Sequence, residues 1–395
     1  MKKSLFYVAL GAMVLTSCAQ DEVLDTPKNA VQFSVATENA GRGSVITTGN
    51  IDQFCVTAFM TETTELPNGE SVTTPSKFFM DDVLVNKTDN GAWDYDVLKF
   101  WPNSGKIDFY SYAPVNDIVV AKFEKAGQTI DYTVPRNCAD QLDVLYAYNQ
   151  GLTKTANAVP VNFRHALSQV VFKAKNTKAD LTVQVNGIRI VGLYDKGTLT
   201  MPAESTTVQA AEDENGKFSA TGPTWGTWAV DETQAKVDYT AALAEGDLVL
   251  ESSSYFMSDE ANPLLLMPQT LAPATIAGNK MNFDGAYFAV SCKIVSTEEK
   301  TGEEIQVWPA AAGEFAEVNI PVNSPDRVKN TDGSYTYFWQ QGRRYVYSFV
   351  FGEGAGYDAN GDPVLVPVTF EVTVDSFQND VKPVDLNTGN PENHN

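Results

Sequence analysis

Short segments in which apolar and polar residues alternate recur along almost the whole chain, and this pattern limits the folds that the chain can adopt. Such alternation is typical of β-strands with one buried face. Clusters of Gly, Pro, Asn and Asp separate the segments, as turns do in antiparallel sheets. We therefore predict β-sandwiches rather than a parallel α/β sheet, with one short helix over Glu232–Ala244. The clearest predicted strands are Phe54–Met60, Ile107–Tyr112, Val144–Tyr148, Leu181–Val191, Ala286–Val295, Arg344–Phe351 and Val364–Val374.

A polar segment of small residues, Asn149–Ala158, divides the chain near its middle. A length of 395 residues is typical of two or three domains. We expect an N-terminal β-sandwich domain over residues 43–158 and a C-terminal β-sandwich domain over residues 159–377. The apolar alternation is lost beyond this point, and residues 378–395 are predicted to form a polar C-terminal tail.

The first eighteen residues have the pattern of a bacterial export signal. Lys2 and Lys3 precede the apolar run Leu5–Leu15, which is too short to cross a bilayer as a permanent helix. The run leads into LTSC, an aliphatic residue and two small residues before Cys18, which matches a lipoprotein signal. We predict a signal peptide over residues 1–17, cleavage before Cys18 and lipidation of its thiol. The alternative is an ordinary secretory signal in which this cysteine occurs by chance.

The charge balance of the chain excludes one class of partner. There are 28 Lys and Arg residues against 50 Asp and Glu residues, which gives a formal net charge of −22. Nucleic-acid binding depends on clustered basic side chains that neutralise phosphates, and the sequence lacks such clusters. We therefore expect no nucleic-acid partner and a soluble, self-repelling surface.

Beyond Cys18, the three remaining cysteines are isolated from one another in the sequence. Cys55, Cys138 and Cys292 lie in or near apolar segments and show no CxxC spacing. An odd number of cysteines does not build a disulfide framework. Buried free thiols are the expectation, with a single disulfide among the three as the alternative in an oxidising compartment.

Histidine, a common catalytic base and metal ligand, is nearly absent from the chain. The sequence has 2 histidines, His165 within a predicted strand and His394 in the polar tail. It has no GxSxG nucleophile elbow, and neither an HExxH motif nor a Cys/His cluster for zinc. His165 is expected to be a hydrogen-bonded structural residue. We predict no enzymatic activity, no metal site and no cofactor.

The glycine-rich segment at residues 351–363 has some features of a ligand loop. It contains no lysine and carries acidic residues, which would repel a nucleotide phosphate. Asp358, Asn360 and Asp362 alternate like the first ligands of a calcium loop, but Pro363 stands where such a loop requires glycine. A hairpin connection is therefore the preferred interpretation of this segment.

Two tryptophans, Trp225 and Trp228, lie close together in the segment TWGTWAV. Aromatic rings at this spacing could form a platform on which a sugar stacks. Tryptophan is also an ordinary core residue of β-sandwiches, so a core position is the competing interpretation. Trp225 and Trp228 are candidate glycan-contact residues on the first interpretation.

The first predicted strand of the mature chain is followed closely by a candidate protease site. Val31, Phe33 and Val35 alternate with polar or small residues, and the sequence GRG, centred on Arg42, follows within a few residues. Glycines on both sides of the arginine would let an extended segment enter a protease cleft. A simple surface turn is the alternative interpretation.

Several segments, taken in order, resemble one protein family. After the lipoprotein signal come VQFSVAT with its arginine loop, FRHALSQVVFKAKN, NPLLLMPQ and a long C-terminal segment from GRRYVYSFVFGEG to EVTVDSF. This combination resembles the fimbrillin-like (Mfa-like) lipoproteins of Bacteroides-type bacteria over most of residues 5–377. The acidic pair shortly after Cys18 is similar to the surface-export signal of lipoproteins from that group. The resemblance implies two transthyretin-like β-sandwich domains with Greek-key-type antiparallel sheets.

The resemblance also implies a mechanism of assembly into fimbriae. The precursor would be held in outer-membrane lipid through Cys18, and an arginine-specific surface protease would cut after Arg42. The strand that contains Val31, Phe33 and Val35, within residues 18–42, would then leave. A strand from another fimbrial subunit would fill the vacated groove by β-augmentation.

One departure from the family pattern concerns the donation of a strand. Stalk subunits of this family usually carry a donor strand at the C-terminus. The tail after Gln378 offers only Val381, Val384 and Leu386, and Pro383 interrupts them. Accepting a strand is therefore better supported than donating one, and tip, stalk and anchor positions stay open.

The leading prediction is a fimbrial subunit, tip or stalk, that is exported as a surface lipoprotein and supports cell adhesion. Its location would be the cell outer membrane and the fimbriae at the cell surface, and its receptor would be a host glycan or protein. The alternative is a monomeric surface lipoprotein that binds host or dietary glycans.

Overall fold

The computed structural model describes residues 29–37, 45–69, 71–207, 220–253, 255–298, 300–352, 356–364 and 368–376. Within these ranges the chain is all-β, which confirms the predicted fold class, and one 3₁₀ turn, Cys138–Asp140, is the only helical segment. The described residues contain no helix with the length and apolar character needed to cross a membrane. The predicted lipidation site Cys18 and the predicted processing site Arg42 both lie outside the described residues.

The strands are numbered here in chain order. Strands β1 to β9 are Phe33–Thr37, Gln53–Glu65, Ser71–Lys87, Trp93–Asp94, Lys106–Ala113, Val119–Glu124, Gly127–Thr133, Leu145–Leu152 and Val159–His165. Strands β10 to β18 are Ser168–Asn176, Leu181–Leu193, Lys196–Thr200, Thr227–Val230, Val237–Thr240, Leu248–Val249, Tyr255–Phe256, Leu264–Leu266 and Thr270–Leu271. Strands β19 to β27 are Thr275–Ala277, Lys280–Asn282, Tyr287–Thr297, Glu304–Trp308, Ala316–Pro321, Arg327–Lys329, Tyr335–Phe338, Arg343–Phe351 and Val368–Ser376. The seven strands named from the sequence correspond to β2, β5, β8, β11, β21, β26 and β27.

The first sheet has seven strands in the order β1-β9-β8-β5-β2-β3-β4. Its central pairs are antiparallel, whereas β1 runs parallel to β9. Both faces of this sheet are covered by protein. On β8, Leu145 and Ala147 face one core while Tyr146 and Tyr148 face another, and all four are buried. A strand covered on both faces carries apolar or aromatic residues at consecutive positions, as β8 does.

One face of the first sheet covers a core built largely from aromatic rings, which we call the N-terminal core. It includes Phe33, Phe54, Phe109 and Phe163. The Phe54 ring lies 5.6 Å from both the Phe33 ring and the Phe163 ring, in edge-to-face contacts. This is the arrangement that aromatic quadrupoles favour, so the rings stabilise each other beyond simple burial.

The other face packs on a larger core that is shared with the remaining sheets. A second sheet has the order β13-β12-β7-β6. A third has the order β16-β10-β26-β27 with β17 paired to β10, and a fourth the order β14-β11-β21-β22 with β15 and β23 attached. The ring of Phe288 on β21 lies 5.9 Å from Phe172 on β10 and 4.5 Å from Tyr347 on β26. These contacts stack the third and fourth sheets into a β-sandwich. The pair β10–β26 is parallel, a departure from purely antiparallel sheets.

The chain passes from the first sheet to the C-terminal sandwich between β9 and β10. The predicted domain division at residue 158 falls just before β9, which pairs with β8 in the first sheet. His165, the last residue of β9, is fully buried, and its Nδ1 lies 3.0 Å and 2.9 Å from the two Asp143 carboxylate oxygens. The same carboxylate accepts a hydrogen bond from the Ile46 N–H at 2.8 Å. The expected role of His165 as a hydrogen-bonded structural residue is confirmed.

The predicted helix over Glu232–Ala244 is wrong. Its central part, Val237–Thr240, is strand β14, which pairs antiparallel with β11. Val237 and Tyr239 are buried, whereas Asp238 and Thr240 are exposed. Residues 237–240 form a strand because pairing with β11 buries one of their two faces. This burial outweighs a weak helical preference of the segment.

The cysteines in the described part of the chain are free thiols, as expected. Cys55 and Cys292 are buried and Cys138 is half-buried. Burial raises the pKa of Cys292 to about 12. Burial also raises the pKa of Cys55, whose Sγ lies 2.9 Å from Asp82 Oδ1. Both buried thiols therefore stay protonated at neutral pH, in a state with low nucleophilicity.

Replacing Asp143 with alanine should lower the free energy of unfolding by about 3–5 kcal/mol, because the buried His165 ring and the Ile46 N–H lose their shared acceptor. Asp117 is exposed in a turn and provides the matched control. Asp117→Ala should change the stability by less than about 0.5 kcal/mol. Urea denaturation measures both values, and equal stabilities of the two variants would contradict this role of Asp143.

Candidate functional site

Strand β1 lies at one edge of the first sheet, next to β9. In the parallel register, Phe33 lies opposite Val159 and Val35 lies opposite Val161. An edge strand belongs to a single ladder of backbone hydrogen bonds. Loss of β1 would therefore break one ladder and leave one edge of β9 unpaired, while the rest of the sheet order stays intact.

The apolar side chains of β1 and of the residue just before it enter the N-terminal core. Val31 is 1% exposed and Phe33 is 5% exposed, whereas Val35 is half-buried. The Phe33 ring makes edge-on contacts at centroid distances of 5.6, 5.8 and 6.0 Å with Phe54, Tyr95 and Phe109. Phe33 is thus the side chain of β1 with the most aromatic contacts.

The residues that precede β1 are held on a second side by residues 99–101. The Val31 N–H donates to the Lys99 carbonyl at 2.8 Å, and the Trp101 N–H donates to the Asn29 carbonyl at 3.0 Å. The buried Tyr95 hydroxyl donates to the Val31 carbonyl at 2.8 Å. Burial raises the pKa of Tyr95, so this hydroxyl keeps its proton at neutral pH.

The two ends of the segment 38–44, which contains Arg42, are hydrogen-bonded to each other, and the downstream end has an additional anchor. On the β1 side, the Thr37 N–H donates to the Thr48 hydroxyl at 3.0 Å. On the far side, Val45 is 1% exposed and the Ile46 N–H is bound to Asp143. A cut at Arg42 would therefore separate β1 from a downstream segment that has its own anchor.

The neighbours of β1 form an apolar groove along β9. Val159 and Val161 of β9 are fully buried in the presence of β1, as are Phe54 and Phe109. The Val159 N–H donates to the Gln32 carbonyl at 2.7 Å. Apolar walls beside a row of backbone hydrogen-bonding groups are the features that bind an extended strand by β-augmentation.

The structure brings both candidate glycan-contact tryptophans to one cavity of about 470 Å³, which we call the aromatic cavity. Trp225 is only 3% exposed, and the Arg164 guanidinium lies 4.3 Å from its ring centroid. Trp228 is half-buried, and its Nε1–H donates to the Ala166 carbonyl at 2.6 Å. Trp225 therefore lies in the floor of the cavity, whereas Trp228 lines its opening.

The acidic residues of the C-terminal loop stabilise a turn. Asp358 Oδ1 accepts hydrogen bonds from the backbone N–H groups of Asn360 at 2.8 Å and Asp362 at 2.9 Å. The Asp362 carboxylate also lies 3.1 Å from Lys280 Nζ. Within the described ranges, no group of three or more His, Cys, Asp or Glu side chains is arranged to hold a metal ion.

Sequence reasoning did not identify the residues that hold β1 and the segment downstream of Arg42 in place. Tyr95 lies 64 residues from its partner Val31, and Asp143 lies 97 residues from its partner Ile46. Neither Tyr95 nor Asp143 belongs to a motif or to a periodic pattern of its own. The sequence predicted part of the aromatic cavity, because the close spacing of Trp225 and Trp228 is a local signal.

Known protein families and solved structures include relatives of this chain. A family model described as fimbrillin-like matches residues 36–376. The crystal structure of a fimbrial protein from Bacteroides vulgatus has a TM-score of 0.52 and 17% identity, and covers 88% of this chain and 99% of that chain. At this identity the similarity shows the fold.

Two further crystal structures are similar at lower scores. One is a candidate cell adhesion protein from Bacteroides uniformis, with 12% identity, a TM-score of 0.40 and coverage of 89% of this chain and 100% of that chain. The other is a candidate cell adhesion protein from Parabacteroides distasonis, with 12% identity, a TM-score of 0.42 and coverage of 88% and 100%. A search of curated proteins found no match.

The family match begins within β1 and ends at the last residue of β27, so it spans most of the chain. The chain belongs to the fimbrillin-like family.

Proposed function

We propose that this protein is a fimbrial subunit that supports cell adhesion and accepts a strand from a neighbouring subunit in place of β1. One observation carries the proposal. β1 is an edge strand with Phe33 buried among aromatic rings, and the segment directly after it contains Arg42. Membership of a fimbrillin-like family supports assembly with other fimbrial subunits at the cell surface.

In this proposal, maturation begins at the N-terminal segment. Removal of residues 1–17 leaves Cys18 as the lipidated residue, which holds the precursor at the outer membrane. An arginine-specific surface protease then cuts after Arg42. The fragment of residues 18–42 carries both the lipid and β1. A single cut would therefore release the subunit from the membrane and allow the chain's own strand to leave the groove.

Cleavage after Arg42 alters no contact inside the groove, but it changes how well β1 competes with an incoming strand for the groove. Burial of Val31 and Phe33 contributes about 1.5–3 kcal/mol each. Before the cut, β1 is tethered beside the groove and has a high effective concentration there. After the cut this advantage is lost, and an incoming strand competes on its own affinity. The intact tether thus protects the subunit from premature assembly.

The groove also limits the sequence of an incoming strand. Such a strand would pair along β9 and would need a bulky apolar side chain where Phe33 lies among Phe54, Tyr95 and Phe109. A second apolar side chain would replace Val31. The Asp143 bond to Ile46 would keep the new N-terminal segment in place while the strands exchange.

A second candidate function is a monomeric surface lipoprotein that binds host or dietary glycans. The aromatic cavity with Trp228 at its opening favours it. The two candidates differ in assembly, because the second requires neither cleavage after Arg42 nor a partner strand. Assembly after cleavage therefore discriminates between them.

Limited digestion of the precursor with an arginine-specific protease should cut once after Arg42 and then give oligomers visible by electron microscopy. Arg42→Ala should abolish both results, because β1 then stays tethered. The matched control is Arg136→Ala, at an exposed arginine elsewhere, which should change neither result. Oligomers formed by the undigested Arg42→Ala protein would contradict the proposal.

A synthetic peptide of residues 29–37, NAVQFSVAT, should compete for the groove and reduce the oligomer yield of the cut protein. A peptide with Phe33→Asp should be at least about tenfold less potent, because it would carry a carboxylate into an apolar core. Gln32→Asp adds the same charge at an exposed position and should keep the inhibition. Light scattering measures the yield, and equal potency of the two acidic peptides would refute the assignment of Phe33 as the anchor.

A further inference from the structure

The aromatic cavity is lined by residues from several separate strands and loops. Tyr194 comes from the link between β11 and β12, Trp228 from β13 and Thr270 from β18. Phe338 ends β25, and Gln340 follows it in the turn before β26. The volume of about 470 Å³ falls within the range of small-molecule sites, roughly 300–1,000 Å³.

Aromatic rings make up both the floor and the opening of this cavity. Trp225 and Trp339 are 3% and 2% exposed and form the floor. Tyr194, Trp228 and Phe338 are half-buried, so part of each ring remains accessible at the opening. Accessible ring faces offer apolar contact to the flat C–H face of a sugar ring, with little conformational entropy to lose.

Buried hydrogen bonds fix the Trp339 ring and the Gln341 side chain, which both line the cavity. The Trp339 indole N–H donates to the Tyr347 hydroxyl at 2.9 Å. Gln341 accepts from the Tyr146 hydroxyl at 2.9 Å and donates to the Gly226 carbonyl at 2.6 Å. A site whose side chains are already fixed loses less free energy on binding a ligand than a flexible one.

The rim of the cavity carries polar groups suited to hydroxyls. The Thr270 and Glu232 side chains are exposed, and neither makes a hydrogen bond or ion pair with another residue in the described part of the chain. Gln340 Oε1 accepts from the Ala220 N–H at 3.1 Å, so its NH₂ group is the part that can donate to a ligand. The described lining includes one carboxylate, that of Glu232, and no lysine or arginine, while Arg164 and Lys236 stack on the Trp225 and Tyr194 rings.

We propose that the aromatic cavity binds a neutral pyranose residue of a glycan. The sugar ring stacks on the accessible face of Trp228, while Glu232, Thr270 and the Gln340 amide bind its hydroxyls. This inference does not rest on strand exchange, because the cavity is present while β1 is in place. It names a class of ligand for the proposed adhesive role, which cleavage and assembly alone do not identify.

The test uses the uncut full chain with Cys18→Ala, which stays free of lipid. Isothermal titration calorimetry with the methyl glycosides of galactose, glucose, mannose and N-acetylglucosamine should show saturable binding of at least one, with a Kd of about 1 mM. Thr270→Trp, at an exposed strand position on the rim, should fill the opening and abolish binding. Trp228→Ala should weaken binding about tenfold.

Tyr335→Ala removes another partly exposed ring, at the far end of β25, and is the matched control that should bind normally. Absence of binding for all four glycosides would overturn the proposal, as would unchanged binding in Thr270→Trp. Because the protein is uncut and monomeric here, failure of sugar binding leaves the assembly assay after Arg42 cleavage unaffected.

Discussion

The contact on which the proposed mechanism depends is the pairing of β1 with β9, with Phe33 inserted among Phe54, Tyr95 and Phe109. This contact closes the N-terminal core and satisfies one edge of the first sheet. It is also confined to an edge, where one ladder, a few apolar contacts and a few hydrogen bonds from the residues at its two ends hold the strand. A strand held in this way is both necessary for a closed core and removable as a unit, which is the combination that strand exchange requires.

The remainder of the first sheet has the support to persist around an open groove. Both faces of β8 are buried, and the larger core joins this sheet to the C-terminal sandwich. The buried Asp143 carboxylate links Ile46, just beyond the Arg42 segment, to His165 at the end of β9. Strand β10 of the sandwich starts three residues after His165. Strand β9, which lines the groove, is therefore held by contacts with the rest of the molecule. The aromatic cavity lies in the same part of the protein.

Local patterns predicted much of this fold. Burial largely alternates along β11, and β5 and β26, which are buried at nearly every position, are still recognisable as short segments rich in aromatic and β-branched residues. The alternation of apolar and polar residues does not indicate which strands pair with each other. The parallel pairing of β1 with β9 brings together residues far apart in the sequence, as in the hydrogen bond from the Ser34 hydroxyl to the Val159 carbonyl across 125 positions, and it leaves no trace in either segment. The helix predicted over residues 232–244 is wrong for a related reason, because β14 becomes a strand by pairing with the distant β11. The nearness of Trp225 to Trp228 is a local signal, whereas the burial of Trp225 under Arg164 depends on distant contacts.

A reversible disulfide between β1 and β9 tests the central claim most directly. Val35 and Val161 lie opposite each other in the parallel register, so cysteines at both positions would be placed to form the bond. In the Cys18→Ala background, the oxidised double variant should be cut after Arg42, retain its first strand and stay monomeric. A reductant should then release the strand and allow oligomers to form. Oxidised, cut protein that assembles as fast as the reduced form would contradict the account.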